Sequence, residues 1–76
     1  MLYEIFTING RLVYQTTREE DGYKRRAVRQ EDGSWWMYSF YPGRRSGVGV
    51  PLRGEIRQAG ILAFIEKVKA ALAGLD

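Results

Sequence analysis

Cysteine and histidine are both missing from this 76-residue chain. Their absence excludes disulfide staples, thiol catalysis, imidazole-based triads and zinc sites built on either ligand. A domain this short buries only roughly 60% of the surface its unfolded chain exposes. With disulfides and zinc removed, association with another chain is the remaining common supplement. Long apolar runs are missing too. The longest uncharged windows, Gly33 to Gly43 and Gln58 to Ile65, fall far short of the roughly 18 residues that a membrane-spanning helix needs. No basic segment followed by an apolar one opens the sequence in the manner of an export signal, so the expected compartment is the cytoplasm. The length allows one domain, residues 1 to 76.

What is present reads as a folded domain. Hydrophobic residues make up 45% and charged residues 28%, while the aromatic share, 13%, is high for so few residues. Charge is unevenly spread. Residues 1 to 53 carry nine basic and six acidic groups, whereas residues 54 to 76 carry three of each, so the net charge of +3 resides in the first part. Nine of the twelve basic residues are Arg, which pairs with phosphate through two nitrogens at once and also stacks on rings.

Turn signals divide the first part into strands. Leu2 to Ile8 and Leu12 to Arg18 flank Asn9-Gly10, a pair suited to a tight primed turn because both central residues take positive φ there. Further turns fall at Glu20-Asp21-Gly22, Glu31-Asp32-Gly33 and Pro42-Gly43. They delimit a basic run, Tyr23 to Gln30, and an aromatic one, Trp35 to Tyr41. A short run from Val48 to Leu52 follows, in which Gly49 and Pro51 suit an edge or a bend better than a central strand. From Glu55 to about Ala73 the period changes to that of a helix. Ile61, Ile65, Val68, Leu72 and Leu75 form one stripe, and Gly74 is placed to end it. The predicted fold is therefore α+β: an antiparallel meander sheet of four to five strands over residues 1–53, then one C-terminal amphipathic helix in residues 54–76. Phe64 and Ala71 on one shoulder of the stripe and Leu62 on the other widen the apolar face beyond what one sheet surface demands. That width fits either a helix sunk deeply in its own sheet or one that also meets a symmetry mate, and the thin core favours the second, a homodimer through the C-terminal helix.

One helix, about 10 Å across, covers only part of a sheet whose strands lie about 4.8 Å apart. The other sheet face must meet water or a partner. In the third run Tyr23, Arg25, Ala27 and Arg29 oppose Lys24, Arg26, Val28 and Gln30. Neither set is apolar, which predicts either an edge strand or a cationic exposed face. In the fourth run Trp36, Tyr38 and Phe40 oppose Trp35, Met37, Ser39 and Tyr41, so rings emerge on both sides. Aromatics interleaved with Arg are what single-stranded DNA or RNA requires, because unpaired bases stack on rings and cations follow the phosphates. The candidate cationic contacts are Arg18, Arg25, Arg26, Arg29, Arg44 and Arg45; the candidate stacking rings are Trp35, Trp36 and Tyr38. The acidic turns Glu19-Glu20-Asp21 and Glu31-Asp32 would repel phosphates nearby.

The stretch Pro42-Gly43-Arg44-Arg45-Ser46-Gly47-Val48-Gly49-Val50-Pro51-Leu52, followed at once by an apolar helix, resembles the last strand and helix of the positive cofactor four family of transcriptional coactivators. That resemblance covers residues 23 to 75 at most. It implies a four-stranded curved sheet plus helix, a homodimer, and single-stranded DNA held across the strands by basic and aromatic side chains, with Arg44 and Arg45 as phosphate contacts and Trp35 or Trp36 as a stacking ring. The sequence departs from the family pattern in three ways. Two residues separate Arg45 from Val48 where the family has about one, Gly49 and Pro51 interrupt the strand, and Ile56 and Ala59 stand where the family helix has an early Trp.

Other chemistry finds less support. Gly47-Val48-Gly49 lacks the third glycine of a dinucleotide loop, and no phosphate-loop Lys-Ser/Thr pair occurs. Glu19, Glu20 and Asp21 suit a turn better than a metal site. Tyr23, Lys24, Arg26 and Glu31 supply the residue types of a histidine-free nuclease, yet nothing in their spacing selects them. The expectation is a binding protein, not an enzyme, with no cofactor and no metal, acting as a transcription or replication accessory factor. The rival expectation is a small protein-binding module, such as a phage or regulatory inhibitor of a host protein, because Tyr, Trp and Arg also dominate protein interfaces.

Overall fold

A computed structural model describes residues 1–41, 48–51 and 55–74. Five strands precede one helix: β1 (Leu2–Ile8), β2 (Arg11–Thr17), β3 (Lys24–Arg29), β4 (Trp35–Phe40), β5 (Val48–Pro51) and α1 (Glu55–Leu72). The strands form one antiparallel sheet in the order β1-β2-β3-β4-β5. This is the α+β meander with a C-terminal helix that the turn spacing predicts.

The hairpin of β1 and β2 closes as its sequence requires. Asn9 and Gly10 both take positive φ, 51° and 77°, and Ile8 faces Arg11 across the two-residue turn. That turn fixes the register and so decides which residues share a face. Tyr3, Ile5 and Thr7 line up with Tyr14 and its neighbours Leu12 and Thr16, then with Arg25 and Ala27, then with Met37 and Ser39. This is the face that α1 covers. Its buried centre is Tyr14, Ala27, Ile61, Ile65 and Val68, with Tyr3, Leu12, Trp35, Met37 and Phe64 packed at the margins. Ala27 sits opposite Tyr14 and is fully buried. A methyl side chain at that central position leaves room for the β-branched stripe of the helix to approach the sheet.

Two expectations need correcting. Of the two readings of the basic run, an edge strand or a cationic exposed face, the edge falls: β3 is the middle strand of the sheet, despite its four cationic residues in six. The arginines are accommodated because their guanidinium groups lie over rings: Arg25 over Phe64 at 5.4 Å, Arg26 over Phe40 at 4.6 Å and over Phe6 at 5.5 Å. The helical stripe is also shorter than its periodicity suggests. Ile61, Ile65 and Val68 are buried, whereas Leu72 is half exposed, and Leu75 lies outside the described residues. α1 ends where Ala73 N–H donates to the Lys69 carbonyl at 3.0 Å and Gly74 N–H to the Ala71 carbonyl at 3.2 Å, Gly74 taking φ 73°. Among the described residues, no helix is long and apolar enough to cross a membrane.

Candidate nucleic-acid interface

The face turned away from α1 is built by the alternate residues of the same strands. Three rows run across it: Leu2, Thr17, Lys24 and Phe40; Glu4, Gln15, Arg26 and Tyr38; Phe6, Val13, Val28 and Trp36. Among the described residues no helix lies on it, yet its centre is shielded: Val13 is wholly buried and Gln15 almost so. The neighbouring large side chains do the shielding. Trp36 and Tyr38 lie two residues apart on β4, so their rings project from the same side. Their centroids are 6.2 Å apart and their planes within 24°. Phe40 continues this column along β4, and Phe6 stands across the sheet on β1.

Arg26 ties the two sides of the face together. Its guanidinium lies over both Phe40 and Phe6. Its Nε donates to Gln15 Oε1 at 2.8 Å, and Gln15 Nε2 in turn donates to Glu4 Oε1 at 3.1 Å. The buried amide therefore has both ends satisfied, and the carboxylate balances the guanidinium through it. Burial lowers the Arg26 pKa from its ordinary value, and the charge of Glu4 acts in the opposite sense. Among the described residues, the two terminal nitrogens of Arg26 donate no hydrogen bond. They are held in place by ring contacts while their donors stay available, which is the condition a phosphate ligand needs.

A groove of about 470 Å³ lies over this surface, lined by Arg26, Val13, Val28, Tyr38 and Phe40, and at its β1–β2 end by Ile8 and Arg11. Arg11 donates to Gln30 Oε1 at 2.9 Å and pairs with Glu31 at 3.5 Å. Lys24 stands in register with Phe40 and is exposed. The groove is thus mixed: cationic through Arg11 and Arg26, with Glu31 in its wall.

The residues singled out from sequence divide among several places. Arg26, Trp36 and Tyr38 share the open face. Arg25, Arg29 and Trp35 project to the helix side: Arg25 sits on Phe64, and Trp35 packs on Tyr14 at 5.7 Å. Arg18 lies past the end of β2, where it is engaged by Asp21 in a two-nitrogen pair, Nε to Oδ1 at 2.9 Å and Nη2 to Oδ2, and by the Tyr23 ring at 4.9 Å. The hydrogen bond that Arg18 donates to Asp21 raises the Arg18 pKa. The same bond, with the Tyr23 N–H, holds the Asp21 carboxyl down at about 2. Arg44 and Arg45 lie outside the described residues. Phe6, Lys24 and Phe40 belong to the open face and were not among the chosen residues. The signal that finds them is the register itself. Once Trp36 and Tyr38 are taken as a set, the turn lengths bring Arg26, and then Phe6, to the same side.

No family model, curated protein or solved structure matches this chain.

Proposed function

We propose that this protein binds single-stranded nucleic acid on the open face of its sheet. The observation that carries this reading is the near-parallel Trp36–Tyr38 pair beside an Arg26 guanidinium gripped by Phe6 and Phe40, on the face turned away from α1. Bases stack on exposed ring columns at roughly 1–3 kcal/mol each, without regard to sequence, while cations along the same groove follow the backbone. The face is wide enough for this division of labour: rings along β4 for the bases, Arg26, Lys24 and Arg11 for the phosphates. A duplex fits poorly, because its bases are already stacked and its phosphates demand a denser cationic field than this mixed groove offers. With such a ligand the protein would act in the cytoplasm as an accessory factor in transcription or replication. The likeness to the positive cofactor four family points to the same ligand, through Arg44 and Arg45 outside the described residues.

The test is fluorescence anisotropy of a labelled mixed-sequence single strand and its duplex at two salt concentrations. Binding that prefers the single strand, weakens as salt rises and quenches Trp emission is the expected result. Arg26→Gln should flatten the salt slope by about 0.7, the share of one phosphate contact on a single strand, and Arg29→Gln on the opposite face should leave it unchanged. Equal effects from the two substitutions would remove the face assignment. No binding to either ligand at low salt would turn the assignment to the protein-binding module.

A further inference from the structure

The two edges of the sheet are built differently. β5 is four residues long and contains Gly49 and Pro51, features that discourage pairing with another strand. β1 is seven residues long, has no proline, no glycine and no cationic residue, and carries one charge, Glu4. Among the described residues no strand lies beyond it. Leu2, Ile5 and Ile8 are 51%, 42% and 40% exposed. A long, mostly apolar edge of this kind is a template for strand addition, and soluble proteins normally blunt it or use it.

We infer that the occupant of this edge is the β1 strand of a second copy of the chain, paired antiparallel about a two-fold axis at Ile5. The hairpin turn identifies which backbone groups are available. Ile8 and Arg11 close a two-residue primed turn, so they form a hydrogen-bonded pair, and bonding then alternates along the ladder. Phe6, Glu4 and Leu2 bond to β2. Tyr3, Ile5 and Thr7 therefore point their N–H and C=O groups outward at the free edge. An antiparallel pair of identical strands must match residues of the same face, which limits the axis to a residue position. An axis at Glu4 sets the two carboxylates directly against each other and leaves Thr7 and Ile8 outside the paired strands. An axis at Phe6 leaves Leu2 and Tyr3 unpaired.

The axis at Ile5 uses all seven residues of the strand. Tyr3 meets Thr7 of the second copy and Ile5 meets its own equivalent, each pair exchanging two hydrogen bonds. Leu2 lies beside Ile8 of the second copy, Glu4 beside Phe6, and no like charges are opposed. The three half-exposed apolar side chains of the edge are thereby covered at once. This pairing makes one continuous sheet, with both helices on one side and both open faces on the other. The helices themselves offer less. Among the described residues of α1, the exposed large apolar side chains are Leu62 and Leu72, ten positions and thus about 15 Å apart along the axis, too far to form one patch.

Sedimentation equilibrium of the whole chain, together with cysteine cross-linking, tests the register. The chain has no cysteine of its own, so Ile5→Cys reports on one position. Paired residues in such a site have Cα atoms about 5.5 Å apart, within disulfide reach. Oxidised glutathione should therefore convert Ile5→Cys to a covalent dimer, and leave Glu4→Cys and Phe6→Cys as uncross-linked chains. Wild type is expected to sediment at twice the chain mass. Ile5→Lys, and Thr7→Pro, which removes an outward N–H without touching the β2 ladder, should halve that mass and keep the far-ultraviolet circular dichroism of the folded chain. A monomeric wild type overturns the inference. So does a dimer that survives Ile5→Lys, or one in which Glu4→Cys cross-links and Ile5→Cys does not.

Discussion

On the helix-covered face Tyr14 and Trp35 meet at 5.7 Å with tilted planes and are closed over by Ile61, Ile65 and Val68. On the open face Trp36 and Tyr38 stack almost parallel, and the other rings, Phe6 and Phe40, hold a guanidinium between them. The two faces draw on the same strands and on nearly the same residue types. What differs is the partner each ring is given. Aliphatic branched side chains fill the hollows around a ring and bury it, whereas a cation or another ring satisfies one face of it and leaves the rest to solvent or ligand. An aromatic strand residue is therefore no marker of core by itself.

The contrast is sharpest for stability against binding. Ile65→Ala removes a buried branch from the helix side and is expected to cost about 2–5 kcal/mol, a large share of what so small a domain has. Urea unfolding followed by Trp fluorescence checks this. A loss under 1 kcal/mol would mean that the helix is not the lid of the core. Trp36→Ala on the open face should do the reverse. Its effect on the unfolding midpoint should be much smaller than that of Ile65→Ala, while affinity for a single strand falls by about 1–3 kcal/mol. If both substitutions destabilise equally and neither alters binding specifically, the two faces are one core and the ligand assignment fails.

Finer changes probe how the open face is kept ordered without a helix. Thr17 is half-buried there, and its hydroxyl is buried with no hydrogen-bond partner among the described residues. Thr17→Val keeps the branched shape and deletes the unsatisfied group, so it should raise stability by about 1 kcal/mol; an unchanged or lower melting temperature would show that the hydroxyl is satisfied in solution. The smallest effect belongs to the turn between β2 and β3, which lies on neither face. Asp21 titrates at about 2 when folded against an ordinary 3.8, chiefly because Arg18 donates to it. Its folded pKa is depressed, so its contribution is present above pH 3.8 and is lost as pH falls from there towards about 2. A carboxyl-carbon NMR titration should show that low midpoint, and Arg18→Gln should move it back up. A midpoint near 3.8 in the unsubstituted chain would dissolve the pair.

Much of the architecture was legible from local signals. Asn9-Gly10, the Gly-containing turns after β2 and β3, and the change of period near Glu55 delimit β1 to α1 within a residue or so. Those signals are short-range chemistry: positive φ tolerated at particular residues, and apolar spacing matched to one repeat or the other. The place of β3 was less legible. Its arginines read as an edge or an exposed face, and only the pairing with β2 and β4 shows that Phe6, Phe40 and Phe64, all distant in sequence, supply the surfaces on which they lie. The same holds for the candidate site. Arg25 and Arg26 are equivalent by composition, yet one anchors the helix and the other faces the groove.

The sequence by itself determined the order of the elements, the turn that closes the first hairpin and the two alternating sets in each strand, because these depend on backbone preferences and on a period of two. Which set the helix covers was decided only in three dimensions. Ala27 and Tyr14 had to come together opposite Ile61, Ile65 and Val68 to make a surface the helix fits. That choice, settled by packing rather than by any single residue, left Trp36, Tyr38 and Arg26 on the side where a ligand can reach them.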